Sequence, residues 1–474
     1  MITKNKLLQS LKIPHGTHQD FPIPSFVIDS RSATQGAVFY AIEGERTDGH
    51  KYVENAFANC AAIAIISKEL ENQSIPVLDT RKTDGRGNMI IPETPFCMLV
   101  DDSLRTLQKT AAFWREQLPI RVIGVTGSVG KSSTKELVSE VLSLKYHTFK
   151  NPGNYNNEIG LPLTILNMAQ GYERLVLEMG FYYPGEISFL CEIAKPVIGV
   201  VTNVGTVHAE RAGSQQTIAE GKAELVAALP QSPTGTAILN FDDPLVRSMH
   251  TKTHANVIFY GLDHEADVWA NEICSQGLKG LRFRLHHRDK STTVEVPLLG
   301  RHSVQTVLRA VAVGIADGLT LHQITEGLAY SNSQLRLVAV HTRSGALVLD
   351  DTYNATPEST IAALDLLSEL SGQKIAVLGD MLELGQYEKI GHEQVGHRAA
   401  KTVNHLVTVG TKSRTIAAAA KRNGLPATAI TSVETAIDAA KILKYNLKSG
   451  DVVLIKGSHG LRMDRISAIL EETK

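Results

Sequence analysis

Residues 124–133 read GVTGSVGKSS, and the reading of this stretch decides the fold. It follows the short apolar run RVIGV (121–125) and leads into SSTKELVSEVLSL (132–144), whose apolar residues recur at helical spacing. Strand, glycine loop and helix in that order form the context in which a glycine-rich loop cradles phosphate. Backbone N–H groups and the helix N-terminus favour an anion there, Lys131 adds a point charge, and the Ser132 hydroxyl can reach Mg²⁺. Gly127, Ser128, Val129, Gly130, Lys131, Ser132 and Ser133 are therefore candidate contacts to a nucleoside triphosphate. The competing reading is a glycine turn before a purely structural helix. One detail departs from the standard pattern: the position five residues before Gly130 is Val125, not glycine.

Outward from the loop, short Val/Ile/Leu runs alternate with helical patterns along nearly the whole chain, the signature of βαβ units and mostly parallel sheets. AAIAIIS (61–67), RLVLEMG (174–180), VIGVVTNV (197–204), KIAVLGD (374–380), HLVTVG (405–410) and DVVLIKG (451–457) all read as buried strands. SLRTLQKTAAFWREQLP (103–119) reads as a helix, and DTRKTDGRGNMIIPETP (79–95) as a surface loop. The chain has 474 residues, too many for one core, and the expected fold is α/β in three domains spanning 1–117, 118–333 and 334–474. These would be an N-terminal substrate domain, a central parallel sheet carrying the phosphate loop, and a Rossmann-like third domain. Charge is balanced, with 48 Lys+Arg against 49 Asp+Glu, which argues against a nucleic-acid partner. Cys60, Cys97, Cys191 and Cys274 are widely spaced and read as ordinary buried thiols of a reducing compartment. MITKNKLLQSLKIPHG lacks a signal-peptide core and no apolar run is long enough to span a membrane, so a cytoplasmic protein is expected.

The variant TGSxGK[ST] resembles the Mur ligase superfamily, which includes folylpolyglutamate synthases. Further segments match in order: NPGNYNNEIGLPLTIL (151–166), LVLEMG (175–180), TNVGTVHAE (202–210), DDTYNATPEST (350–360), LGDMLELG (378–385) and KGSHG (456–460). Together they are similar to the branch of the family that joins D-alanyl-D-alanine to UDP-N-acetylmuramoyl-tripeptide. IDSR (28–31) and GAVFYAIEGERTDGHKYV (36–53) look like the domain that holds the UDP-sugar. On that resemblance Ser30, Arg31, Asp48, Gly49, His50, Asn154, Asn156 and Asn157 are candidate UDP-substrate residues, and Asn354 a candidate dipeptide contact.

The same resemblance implies two Mg²⁺ ions, with Ser132, Glu178, His208 and Lys222 as ligands, and a catalytic set of Lys131, Glu178, His208 and Lys222. Glu178 ends an apolar strand, where a carboxylate needs a cation or a donor. His208 taken alone is as readily a capped or core histidine. Lys222, in IAEGKAEL, reads from spacing as a solvated lysine; the resemblance implies that it is carbamylated. Asn240, in ILNFDDP (238–244), is either a nucleotide contact or the side chain of an Asx turn closing a strand. Arg336 and Asp351 match the family's nucleotide-contacting arginine and aspartate, although the Arg336 stem can also simply lie along Leu335 and Leu337. In PLLGRHSVQTVLRAVAVG (297–314) the family carries asparagines where this chain has Ser303 and Thr306. The implied chemistry is an acyl phosphate, formed from ATP on the tripeptide carboxylate and opened by the dipeptide amine. Three domains would close around the substrates about a hinge near 330–336, in a monomer. The alternatives are a lysine- or diaminopimelate-adding ligase, a folylpolyglutamate synthase, or a non-catalytic subunit.

Overall fold

The computed structural model describes residues 1–14, 20–45, 47–71, 74–82, 90–206, 209–330 and 338–471. His208, Arg336 and most of the expected hinge lie outside the described residues. The fold is mixed α/β, rich in parallel strands, and built in three domains as expected.

The described strands are β1 Phe26–Val27, β2 Val38–Tyr40, β3 Ile63–Ile66, β4 Val77–Asp79, β5 Phe96–Leu99, β6 Arg121–Thr126, β7 Thr148–Lys150, β8 Arg174–Glu178, β9 Ile198–Val201 and β10 Thr236–Asn240. They continue with β11 Asn256–Gly261, β12 Val268–Ser275, β13 Leu281–His287, β14 Lys290–Val296, β15 Val338–His341, β16 Leu347–Asp351, β17 Lys374–Gly379, β18 His405–Val409, β19 Ile430–Val433 and β20 Val452–Lys456. Every run read from the sequence as a buried strand is one.

By contacts the chain divides into two compact units. The first comprises Met1–Gly124, Tyr146–Gly180 and Glu186–Val197. Its N-terminal sheet, in the order β1-β2-β3-β5-β4, is parallel throughout. β3 and β5 are buried on both faces, which explains their continuous apolar runs. β7 and β8 pair in parallel in the same unit. The helix Ser103–Glu116 starts on Asp102, whose carboxylate accepts from the Arg105 N–H.

The second unit comprises Val125–Lys145, Phe181–Gly185 and Ile198–Lys474. β9, β10, β11 and β12 run parallel, and β12, β13 and β14 then form an antiparallel meander. The meander departs from the parallel expectation. Its cause is legible in β13, LRFRLHH, where Leu281, Phe283 and Leu285 are buried and Arg282 and Arg284 exposed, the period of a half-solvated strand. The third-domain sheet runs β15-β16-β20-β17-β18-β19. It is doubly wound. Leu364, Leu367, Val395 and Ile416 cover one face, and Ala439, Leu443, Ile466 and Leu470 the other. Cys97 and Cys191 are buried thiols as expected, whereas Cys60 and Cys274 are exposed: Cys60 sits in a left-handed turn after a short helix and Cys274 near the end of a strand beside a register shift.

Candidate active site

β6 runs through Thr126, so Val125 is a fully buried strand residue rather than the first residue of the loop. That is why a glycine is not needed there; the turn begins at Gly127. Gly127 has φ +144°, and a Cβ on it would sit 1.8 Å from Thr202 Oγ1. Thr202 Oγ1 in turn donates to the Val129 carbonyl at 2.7 Å. Asn203 holds the next residues: its carbonyl accepts from the Ser128 N–H at 3.0 Å and its Oδ1 from the Val129 N–H at 2.8 Å. Gly130, at φ +84°, ends the loop in a left-handed turn and opens the helix Lys131–Ser143. Gly127→Ala therefore combines backbone strain with a collision. It should cost about 2–4 kcal/mol, read as a lower urea midpoint, together with weaker nucleotide binding.

Lys131 Nζ donates to the Gly127 carbonyl at 2.8 Å, which places its charge at the loop. Lys222 is on the helix Gln215–Ala227, but not on its solvent face: it is 1% exposed, with Nζ 4.9 Å from the Phe181 ring. Among the described residues no carboxylate pairs with it. Burial, and then the charge of Lys131, push its pKa well below the usual lysine value. The solvated-lysine reading is corrected: Gly221, one residue before, lets the helix approach so closely that a Cβ there would lie 2.0 Å from Phe181 Cε2.

Glu178 ends β8 and is 2% exposed. Asn156 Nδ2 donates to its Oε1 at 2.9 Å, and Asn151 Oδ1 accepts its backbone N–H at 2.9 Å. Asn151 was not singled out in the sequence, although it opens the NPGNYNN segment; it is completely buried and also donates to the Tyr155 carbonyl at 2.8 Å. Asn157 Oδ1 accepts from the Gly160 N–H at 2.9 Å, at the start of the helix Gly160–Asn167. The Asn154 carbonyl accepts from the Asn156 N–H at 2.7 Å.

Nearer the N-terminus, Arg31 forks onto Asp29 through Nε at 2.9 Å and Nη2 at 2.6 Å, and this holds the Asp29 carboxyl down at about 2. Ser30 lies buried in the same turn. His50 Nδ1 donates to Asp48 at 2.6 Å while Nε2 accepts from the Ser67 N–H at 2.9 Å, which fixes the neutral Nδ1–H tautomer. Those bonds to His50 hold Asp48 well below the usual carboxylate range. Gly49 is required, since a Cβ would meet the Ile42 backbone N at 2.7 Å.

In the second unit, Asn240 donates to the Thr202 carbonyl at 3.0 Å and accepts from the Asp242 N–H at 3.1 Å. The amide thus closes an Asx turn and ties β10 to the loop after β9. The Asp350–Asp351 pair has the donors its repulsion calls for. Asp350 Oδ1 accepts from the Thr352 hydroxyl at 2.7 Å, and Lys456 Nζ donates to Asp351 Oδ2 at 2.5 Å and to the Asn354 carbonyl at 3.0 Å. Lys456, 3% exposed in its side chain, stands directly opposite Asp351 in the β16–β20 register. It belongs to KGSHG, a segment noticed in the sequence without a role for its lysine.

The chain matches the models for the Mur ligase middle domain over 125–314, the Mur ligase glutamate ligase domain over 335–459, and the Mur ligase family catalytic domain over 23–89. It is 34% identical to the UDP-N-acetylmuramoyl-tripeptide–D-alanyl-D-alanine ligase of Bacillus subtilis, over 94% of this chain and 92% of that one. A crystal structure of MurF from Acinetobacter baumannii superposes with a TM-score of 0.84 at 28% identity, covering 98% of both chains. MurF from Thermotoga maritima, crystallised with ADP, gives 0.80 at 30% identity over 94% and 97%. A phosphate loop entered from a buried strand, a desolvated lysine beside it and a full-length likeness to MurF lead to one conclusion: the chain belongs to the Mur ligase family, in its MurF branch.

Proposed function

We propose that this chain joins D-alanyl-D-alanine to UDP-N-acetylmuramoyl-tripeptide at the expense of ATP, completing the pentapeptide precursor of peptidoglycan. The observation that carries the reading is the phosphate loop bearing Lys131, with Lys222 buried on a separate helix, in a chain that matches MurF ligases over more than nine-tenths of its length. The tripeptide carboxylate attacks the γ-phosphorus of ATP, forming an O–P bond as the bond to ADP breaks. The dipeptide amine then attacks the acyl carbon; the N–C bond forms, phosphate leaves, and the amine loses a proton. Such transfers depend on neutralising phosphoryl charge rather than on a nucleophilic side chain.

Lys131 supplies part of that neutralisation from the loop. On the family resemblance we assign Ser132, Glu178, His208 and a carbamate on Lys222 as the residues that would hold Mg²⁺, which would supply charge neutralisation on the phosphates when bound. Lys222 fits carbamylation. A buried amine beside another ammonium is poorly placed as a cation, and as a free amine its nitrogen can attack CO₂ and release a proton to water, leaving an anion. We assign Gly127–Ser133, Asp351 and Arg336 to the nucleotide. Ser30, Arg31, Asp48, Gly49, His50, Asn154, Asn156 and Asn157 go to the UDP-substrate, and Asn354 to the dipeptide. Domain limits at 117/118 and 333/334, a monomer and a cytoplasmic location complete the reading; among the described residues no helix is long and apolar enough to cross a membrane.

The test is an amine panel in a phosphate-release assay with ATP and UDP-MurNAc-tripeptide or UDP-MurNAc-dipeptide. Turnover is expected with D-alanyl-D-alanine and the tripeptide. Turnover only with the dipeptide substrate plus lysine or diaminopimelate would overturn the reading in favour of an amino-acid-adding ligase.

A further inference from the structure

Arg309 has no part in the reaction just described, yet it lies against the phosphate loop. It is on the helix Ser303–Ala316, which packs beside the loop helix Lys131–Ser143. The side chain is buried, with 5% of the residue exposed. Nη2 donates to Thr306 Oγ1 at 2.8 Å, Nη1 lies 3.5 Å from the Tyr260 hydroxyl, and Nε has no hydrogen-bond partner. Among the described residues no carboxylate pairs with it. A guanidinium buried without an anion is costly, and an anion brought close to it offsets part of that cost.

The geometry indicates where. A Cβ built on Gly130 would lie 3.2 Å from Arg309 Nη2, so the guanidinium backs onto the residue that opens the loop helix. The Tyr260 hydroxyl is hydrogen-bonded to the Val201 and Thr202 carbonyls at 3.1 and 2.9 Å, and Thr202 holds the loop through Val129. The cation is thus seated by two hydroxyls, one of them tied to the loop's own support. Two positions that carry asparagines in the family pattern, Ser303 and Thr306, do not offer a free amide here. Ser303 Oγ donates to the Leu299 carbonyl at 2.7 Å, and Thr306 Oγ1 is the acceptor for Arg309.

We propose that Arg309 is an electrostatic positioning residue for the nucleotide polyphosphate, acting through Gly130 by adding fixed, buried positive charge behind the phosphate loop. The proposal rests on the ATP reading above. Its charge adds to the positive end of the loop helix, and the low-dielectric surroundings keep it from being screened by salt.

The test compares ADP and adenosine binding by titration calorimetry in the wild-type chain, Arg309→Met and Arg309→Lys, alongside melting temperatures and Michaelis constants. Arg309→Met should weaken ADP binding about tenfold, leave adenosine binding unchanged, and raise KM for ATP alone, with kcat retained. Arg309→Lys should recover most of the loss. Should the methionine variant fail to fold, Thr306→Val reads the same point by unseating the guanidinium, and weaker ADP binding with unchanged adenosine binding is again expected. Unchanged ADP affinity in the folded variants overturns the proposal, as does a loss spread equally over adenosine and all three substrates. A wild-type chain that binds no ADP overturns the ATP reading itself.

Discussion

Replacing Lys222 by methionine is expected to raise the melting temperature while abolishing ligation. The lysine is buried on the helix Gln215–Ala227 with its Nζ over the Phe181 ring and Lys131 repelling it. A neutral side chain of similar length keeps the stem packing and an apolar contact to the ring, and removes the desolvation cost. In CO₂-depleted buffer the melting temperature should rise by about 2–4 °C for each kcal/mol relieved. The pH dependence has a definite sign. The folded-state pKa lies below the unfolded value, so between the two the unfolded chain binds the extra proton and wild-type stability rises with pH. The variant should lose that slope. Its ligation rate should fall about a thousandfold, because the anion proposed to form on this nitrogen is gone. A mass gain of one CO₂ on the wild-type peptide bearing Lys222, absent in the variant, would tie the two effects together. A lower melting temperature would show that the lysine is paired; full activity would end the carbamate proposal.

The strands were legible because double-sided burial writes itself as unbroken apolar runs, as in β3 and β5. The loop was legible for a related reason: Gly127 and Gly130 stand where side chains cannot, at φ +144° and +84°. Less visible were residues whose role is to hold another. Nothing in the spacing of NPGNYNN separates Asn151 and Asn156, which fix Glu178, from Asn157, which accepts the Gly160 N–H where a helix begins. These contacts join positions more than twenty residues apart in the first case and three in the last. Lys456 escaped notice as the partner of Asp351 because a parallel pairing over a hundred residues long in sequence sets them opposite. Lys222 misled in the other direction. Helical spacing alone gives a lysine to solvent, and only the close approach at Gly221 buries it. Arg309 was hidden in the same way, as a charge in an otherwise apolar helix pattern whose burial is decided by the helix packed beside it.

The second large effect is expected at Lys131. Lys131→Ala should lower kcat/KM for ATP about a thousandfold while costing only about 1 kcal/mol of stability, the worth of its bond to the Gly127 carbonyl. The substitution lies at the first position of the helix Lys131–Ser143, where alanine is a good helix former, so the fold has little to lose. The loop shape is carried mainly by Thr202, Asn203 and the two glycines, and the lysine adds one bond, to the Gly127 carbonyl. What disappears is the point charge proposed to act on the phosphates. A second consequence follows from the repulsion between the two lysines. With Lys131 gone, one of the two causes that depress Lys222 is removed, and its pKa moves back toward the ordinary value. More of Lys222 is then protonated at neutral pH, and less is available to react with CO₂. The variant should therefore show less carbamate at a fixed CO₂ level and need higher CO₂ to regain its residual activity. Lys131→Ala and Lys222→Ala should then combine to less than the sum of their separate losses, since the first already costs part of what the second removes. Strict additivity, with carbamate content unchanged in Lys131→Ala, would show that the two lysines act independently.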